Sequence, residues 1–171
     1  MKKVTLVILI CFGCFVLSAQ THLKRSAGTS DYSVGLDVGL PTGIANLVYS
    51  LGLGLNGQMY KPLTDKFGLT GSVGYQILLG KKFSGSEFKV PTVGLIPLLV
   101  GGKYEFTPSL FGMGEIGVAI GVSNATGSNF MYSPSIGYNV SQNVDLSLKY
   151  KSIVGSGASV SQLALRVGYN F

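Results

Sequence analysis

The stretch Leu163-Ala164-Leu165-Arg166-Val167-Gly168-Tyr169-Asn170-Phe171 decides the fold. Leu163, Leu165, Val167, Tyr169 and Phe171 occupy odd positions, and Ala164, Arg166, Gly168 and Asn170 occupy even ones. Strict period-two alternation marks a β-strand with one apolar and one polar face. A strand that finishes on Tyr-x-Phe suits a membrane–water boundary, where aromatic rings collect. The stretch therefore predicts the closing strand of a membrane barrel.

The same alternation recurs upstream. Tyr32, Val34, Leu36, Val38 and Leu40 oppose Ser33, Gly35, Asp37 and Gly39. Further runs place apolar residues at alternate positions from Leu47 to Met59, Phe67 to Leu79, Ile96 to Phe106, Ile116 to Val122, Phe130 to Val140 and Val144 to Tyr150. Between them, short connections at 61–66, 107–109 and 141–143 alternate with longer ones at 80–91, 123–129 and 152–161; the connection at 41–46 fits this series least well. No segment carries a sustained helical period. The pattern predicts an all-β chain, a closed antiparallel up-and-down transmembrane β-barrel of about eight strands, with short turns at one end and longer loops at the other.

The composition of the two faces separates a membrane barrel from a soluble one. One face is rich in Leu, Val and Tyr, and the other is mostly Gly, Ser, Asn and charges. Such a polar face cannot build an apolar core, but it can line the narrow inside of a small barrel whose large residues face lipid. The aromatics sharpen this. Tyr32, Phe67, Tyr104, Phe106, Tyr138, Tyr169 and Phe171 fall at the short-turn end, and Tyr49, Phe130, Tyr132 and Tyr150 near the other, as two interfacial girdles require.

Residues 1–19 read as a cleaved signal peptide. Lys2 and Lys3 precede an apolar core from Val4 to Leu17, and Leu17-Ser18-Ala19 offers small residues for cleavage. Residues 20–30 form a polar N-terminal lead-in, and residues 31–171 the barrel. Cys11 and Cys14 form a C-x-x-C inside the signal, so the mature chain carries no thiol. The whole chain has a net charge of +6. Without Lys2 and Lys3, 11 basic residues face 7 acidic ones, an excess of +4. That mild excess does not call for nucleic acid as a partner.

Alternation aims Asp37, Lys103, Glu105, Glu115, Asp145, Lys149 and Arg166 into the lumen. A symmetric final hairpin brings Arg166 to Asp145, and a first strand beginning near Asp31 brings it to Asp37 on the other side. Lys103 is expected to reach Glu115 diagonally across its tight turn. Charges in a narrow, poorly solvated lumen must be paired, so this set reads as an internal ion-pair and hydrogen-bond plug in preference to an ion path or a binding site. Catalysis and metal or cofactor chemistry find little footing. The sole histidine, His22, lies in the lead-in, so the barrel has no imidazole base. Gly52-Leu53-Gly54-Leu55-Asn56-Gly57 matches G-x-G-x-x-G but leads into a turn, not a helix, and its glycines read as lumen space. Asn124-Ala125-Thr126 matches a glycosylation sequon without bacterial meaning.

Ser18-Ala19-Gln20, Ile96-Pro97-Leu98-Leu99-Val100-Gly101-Gly102-Lys103-Tyr104-Glu105-Phe106 and Val167-Gly168-Tyr169-Asn170-Phe171 give the chain its family character. It resembles the small OmpA/OmpX-type outer-membrane β-barrel proteins, and more narrowly the β-barrel-domain outer-membrane proteins of Bacteroidota. The resemblance implies that Leu163, Leu165, Val167, Tyr169 and Phe171 form the signal read by the barrel-assembly machinery. Expected function is a monomeric structural or interaction protein of the outer membrane of a Gram-negative bacterium, and not an enzyme. The alternatives are a narrow porin or solute conduit, and a lipid-modifying outer-membrane enzyme. Lys81, Lys82 and Lys89 read first as a solvated loop, with contact to lipopolysaccharide phosphates as the alternative.

Overall fold

The computed structural model describes residues 30–82, 90–155 and 159–171. The expected signal peptide, residues 20–29 of the lead-in, and Lys89 lie outside these residues. Eight strands follow in order: β1 Asp31–Thr42, β2 Tyr49–Pro62, β3 Phe67–Gly80, β4 Val93–Glu105, β5 Leu110–Ser123, β6 Ser128–Asn139, β7 Val144–Val154 and β8 Ser159–Asn170. A single helical turn, α1 Ala45–Val48, lies between β1 and β2. Each strand pairs antiparallel with its neighbours in sequence, and β8 returns to β1, closing the barrel. The β1–β8 seam runs from Ser33 opposite Asn170 to Thr42 opposite Ser161. Closure leaves no unpaired sheet edge. Among the described residues, no helix is long and apolar enough to cross a membrane.

The three short turns share one chemistry. In Leu63–Phe67, Phe106–Leu110 and Val140–Val144, an apolar residue precedes Thr or Ser, and another apolar residue resumes the next strand. The hydroxyls of Thr64, Thr107 and Ser141 accept the backbone N–H three residues on, at 3.0, 2.9 and 3.1 Å. Such hydroxyl-to-backbone bonds tighten a turn locally. The opposite end is less regular. Gly43 adopts a left-handed φ of 58° just before α1. Residue Leu47, expected on β2, sits in α1 and is exposed.

Two strand prolines interrupt the ladder. β3 and β4 pair from Phe67–Tyr104 to Val73–Leu98 and resume at Gln76–Leu95, stepping over Pro97. β6 and β7 pair from Phe130–Val154 to Tyr132–Ser152 and resume at Ser135–Lys149, stepping over Pro134. Proline has no N–H to donate, so a rung is missing where it stands inside a closed sheet.

Side chains divide by face. Leu36, Leu40 and Val100 are 62, 63 and 64% exposed on the outside, while Arg166 and Glu115 are each 1% exposed inside. The inside has two layers. Toward the short turns it carries charged and polar groups beside Tyr60, Phe111 and Met113. Toward the longer connections Leu78, Leu95, Leu99, Ala119, Met131 and Ile153 form one apolar cluster. The inner face was expected to be mostly Gly, Ser, Asn and charges and unable to build an apolar core; this cluster adds an apolar part that the expectation lacked. Tyr49 also departs from expectation. A register shift between Tyr49 and Leu51 changes the phase of β2, and Tyr49 packs against the inner apolar cluster, not in an outer girdle.

Candidate functional site

The polar half of the lumen is the candidate site. Eight inward side chains give four ion pairs. Arg166 Nη1 lies 2.9 Å from Asp145 Oδ1, and Lys151 Nζ lies 2.6 Å from Asp37 Oδ2. Lys149 Nζ is 3.5 Å from Glu115 Oε2, and Lys103 Nζ is 3.5 Å from Glu105 Oε1. These four cations and four carboxylates cancel, as charges inside a low-dielectric space must.

Arg166 is the hub. Its Nη2 donates to Ser33 Oγ and its Nε donates to Asn56 Oδ1, both at 2.9 Å. With Asp145, the guanidinium thus joins β8 to β1, β2 and β7. Planar Arg, with donors on both edges, suits such a junction better than Lys. Asn56 carries the network onward, donating from Nδ2 to Asp37 Oδ2 at 2.8 Å. Asn170 Nδ2 donates to the second oxygen of Asp145 at 3.1 Å. Gln58 Nε2 donates to Glu115 Oε1 at 3.2 Å, and Lys151 also donates to Gln76 Oε1 at 3.4 Å. Two glycines make the hub possible. A β-carbon at Gly35 or Gly168 would collide with the Arg166 guanidinium. Gly52 and Gly54 of the G-x-G-x-x-G match also face the lumen, where Gln162 and Asp37 lie over them.

Two expected contacts are corrected. Asp37 stands opposite Arg166 in the β1–β8 register, but its carboxylate is held by Lys151 and Asn56. Asn56 stands between the two, accepting from Arg166 and donating to Asp37. Lys103 does not pair with Glu115. Glu115 stands opposite Gly101, and Lys103 opposite Met113. The Lys103 ammonium goes to the short-turn mouth, where it lies 4.1 Å from the ring centre of Phe111 and 5.0 Å from that of Tyr60. Glu115 meets Lys149 instead. Lys151 was missed as a member of the set, although it continues the inward row Asp145, Ser147, Lys149.

The remaining expected residues are placed as follows. Tyr32, Phe67, Tyr104, Phe106, Tyr138, Tyr169 and Phe171 are exposed on the outer face at the short-turn end. Tyr104 and Phe106 meet edge to face at 5.3 Å, as do Tyr169 and Phe171. Toward the other end, Tyr132 lies 6.4 Å from Phe130 and 6.3 Å from Tyr150. Leu163, Leu165 and Val167 complete an outward row on β8 with Tyr169 and Phe171. Lys81 Nζ donates to the carbonyl and side-chain oxygens of Asn46, and Lys82 is exposed beside it.

Little open space remains inside. A cavity at the short-turn mouth and another at mid-height, between Asp37, Gln76, Ser133 and Lys151, each measure about 20 Å³, room for about one water. Among the described residues, no three His, Cys, Asp or Glu side chains converge as metal ligands.

Neither a family model nor a curated protein sequence matches the chain. Solved structures do. The crystal structure of Ail, the attachment invasion locus protein of Yersinia pestis, matches with a TM-score of 0.60 at 17% identity, over 83% of this chain and 97% of that one. The outer membrane protein OprG of Pseudomonas aeruginosa matches with a TM-score of 0.51 at 13% identity, over 88% and 99%. A de novo designed transmembrane β-barrel matches with a TM-score of 0.56 at 17% identity, over 87% and 100%. At such identities the likeness is one of architecture, and the architecture is that of the small eight-stranded outer-membrane β-barrels.

Proposed function

We propose that this chain is an integral outer-membrane β-barrel of a Gram-negative bacterium, exported through the signal at residues 1–19, with a structural or interaction role in the envelope and a lumen closed by its own side chains. One observation carries the proposal: large apolar side chains point outward all round a closed barrel, and paired charges point inward. Water would favour the reverse arrangement. Hydrocarbon favours this one, and it also requires a sheet without edges. On this reading the short turns face the periplasm and the longer connections face outward. The aromatics at the two ends mark the two interfaces. The β8 row Leu163, Leu165, Val167, Tyr169 and Phe171 serves insertion by the assembly machinery. Lys81, Lys82 and Lys89 are proposed to meet lipopolysaccharide phosphates.

A closed lumen is favoured over a conduit by two features. Ion pairs fill its lower and middle parts, and an apolar cluster packs toward the longer connections beside Ser152, Ser161 and Gln162. Conductance in planar bilayers tests the choice. The expected record shows no discrete channel steps, whereas stable unitary steps would replace this proposal with a narrow porin. Lipid A from a deletion strain is expected to keep its mass spectrum, and a lost modification would point to an enzyme.

A further inference from the structure

We propose that Asn56-Gly57 is a site of spontaneous deamidation, open in the unfolded chain and shut by the finished barrel, so that Asn56 limits how long the chain can wait before it closes. Asn56 is the neutral bridge of the lumen network. Its Oδ1 accepts from Arg166 Nε at 2.9 Å, and its Nδ2 donates to Asp37 Oδ2 at 2.8 Å. A side-chain amide does both, whereas an ionised carboxylate accepts only. Asn56 is also the only asparagine in the sequence that a glycine follows. Glycine has no β-carbon to hold its backbone nitrogen away from the preceding side chain. The fold makes little use of this glycine. Gly57 lies outside the left-handed region and shares the outer face with Leu55 and Met59, and a β-carbon there would meet open space.

In a flexible chain the Gly57 backbone nitrogen attacks Asn56 Cγ. The new C–N bond closes a succinimide ring, and the side-chain nitrogen leaves as ammonia with the proton that Gly57 gives up. Water then opens the ring. One opening leaves aspartate, and the other leaves isoaspartate, which carries an extra methylene in the main chain. Either product defeats the hub. Aspartate cannot donate to Asp37, sets a like charge against it and adds a carboxylate to a lumen whose charges already cancel. Isoaspartate lengthens the backbone inside β2 and upsets the register beyond it. The barrel blocks the attack. The Asn56 amide is tied at both ends, to Arg166 and Asp37, and Gly57 is paired on both sides, opposite Val34 and Val73.

The test ages the full chain at mildly alkaline pH in two states, unfolded in guanidinium chloride and refolded in micelles. Peptide mass spectrometry reads conversion at Asn56, and heat-modifiability on gels reads the folded fraction after refolding. Conversion is expected to be at least about tenfold slower in micelles, because a strand paired on both sides opens rarely. The refolding yield of the unfolded sample is expected to fall in step with conversion. Gly57→Ala is expected to fold like wild type and to keep its yield through the same ageing. Asn56→Asp, without ageing, is expected to refold to a smaller fraction than wild type. Equal conversion in the two states, or a yield that does not follow conversion, overturns the proposal. So does a Gly57→Ala yield that falls as fast as that of wild type, or normal refolding of Asn56→Asp. If Gly57→Ala does not fold, aged wild type decides alone: converted chains must collect in the unfolded band, and an even distribution between the bands overturns the proposal.

Discussion

From the short turns to mid-height, the lumen holds Arg166, Lys149 and Lys151 with their carboxylates; toward the longer connections it holds Leu78, Leu95, Leu99, Met131 and Ile153. The two regions are held together by opposite means. The polar half is directional. Each charge has an assigned partner, and removing one leaves its partner buried and uncompensated. The apolar half is held by shape, and a lost methylene leaves a void. The first is therefore the brittle half and the second the graded one.

That contrast can be broken most sharply at Arg166. Arg166→Ala strands Asp145 and is expected to cost about 3–5 kcal/mol in reversible urea unfolding, the scale of a broken buried pair. An unchanged heat-modifiability midpoint on gels would remove Arg166 from the centre of the network. In the apolar half, Leu99→Ala is expected to cost about 2–4 kcal/mol by leaving a cavity. Leu98→Ala, on the outer face of the same strand, should cost clearly less, and equal losses would mean that Leu99 is not packed inside. Gly168→Ala presses a β-carbon against both Arg166 and Asp145. A loss of about 1–3 kcal/mol is expected, reduced in part when Arg166 is also replaced by Ala, as a double-mutant cycle would record. Ser141→Ala, outside both halves, removes one turn hydrogen bond and should cost only about 1 kcal/mol. A loss as large as that of Leu99→Ala would place real stability in the turns.

The same contrast separates what the sequence discloses from what it hides. The alternation of β8 and the inward aim of Arg166, Asp145 and Asp37 are plain, because a charge interrupts an apolar neighbourhood. Leu78 and Leu99 are hidden because both neighbours in space and in sequence look alike: Leu78 precedes Leu79, and Leu99 stands between Leu98 and Val100. In such a run either phase of alternation fits. Tyr49 is misplaced for a related reason, since a bulge at Ser50 shifts the phase and leaves no mark in composition. Strand order and closure follow from connection lengths. The partner of Lys103 does not, because register fixes where a Cα stands while a four-carbon stem reaches elsewhere.

The β1–β8 seam has a consequence for how the molecule is made. Arg166 bonds Ser33 across 133 positions of the chain, so the contact carries the largest loop-closure cost of any in the hub. It forms only when the two ends of the chain have met. Until then, Asp145 and Arg166 have each other, but Asn56 and Ser33 wait for the guanidinium. A barrel arrested one strand short leaves Asp145 without its guanidinium, and one slipped by one residue turns its charges to the outer face. The network thereby acts as a completion check: it rewards the finished cylinder and leaves an unfinished one with unmet polar groups.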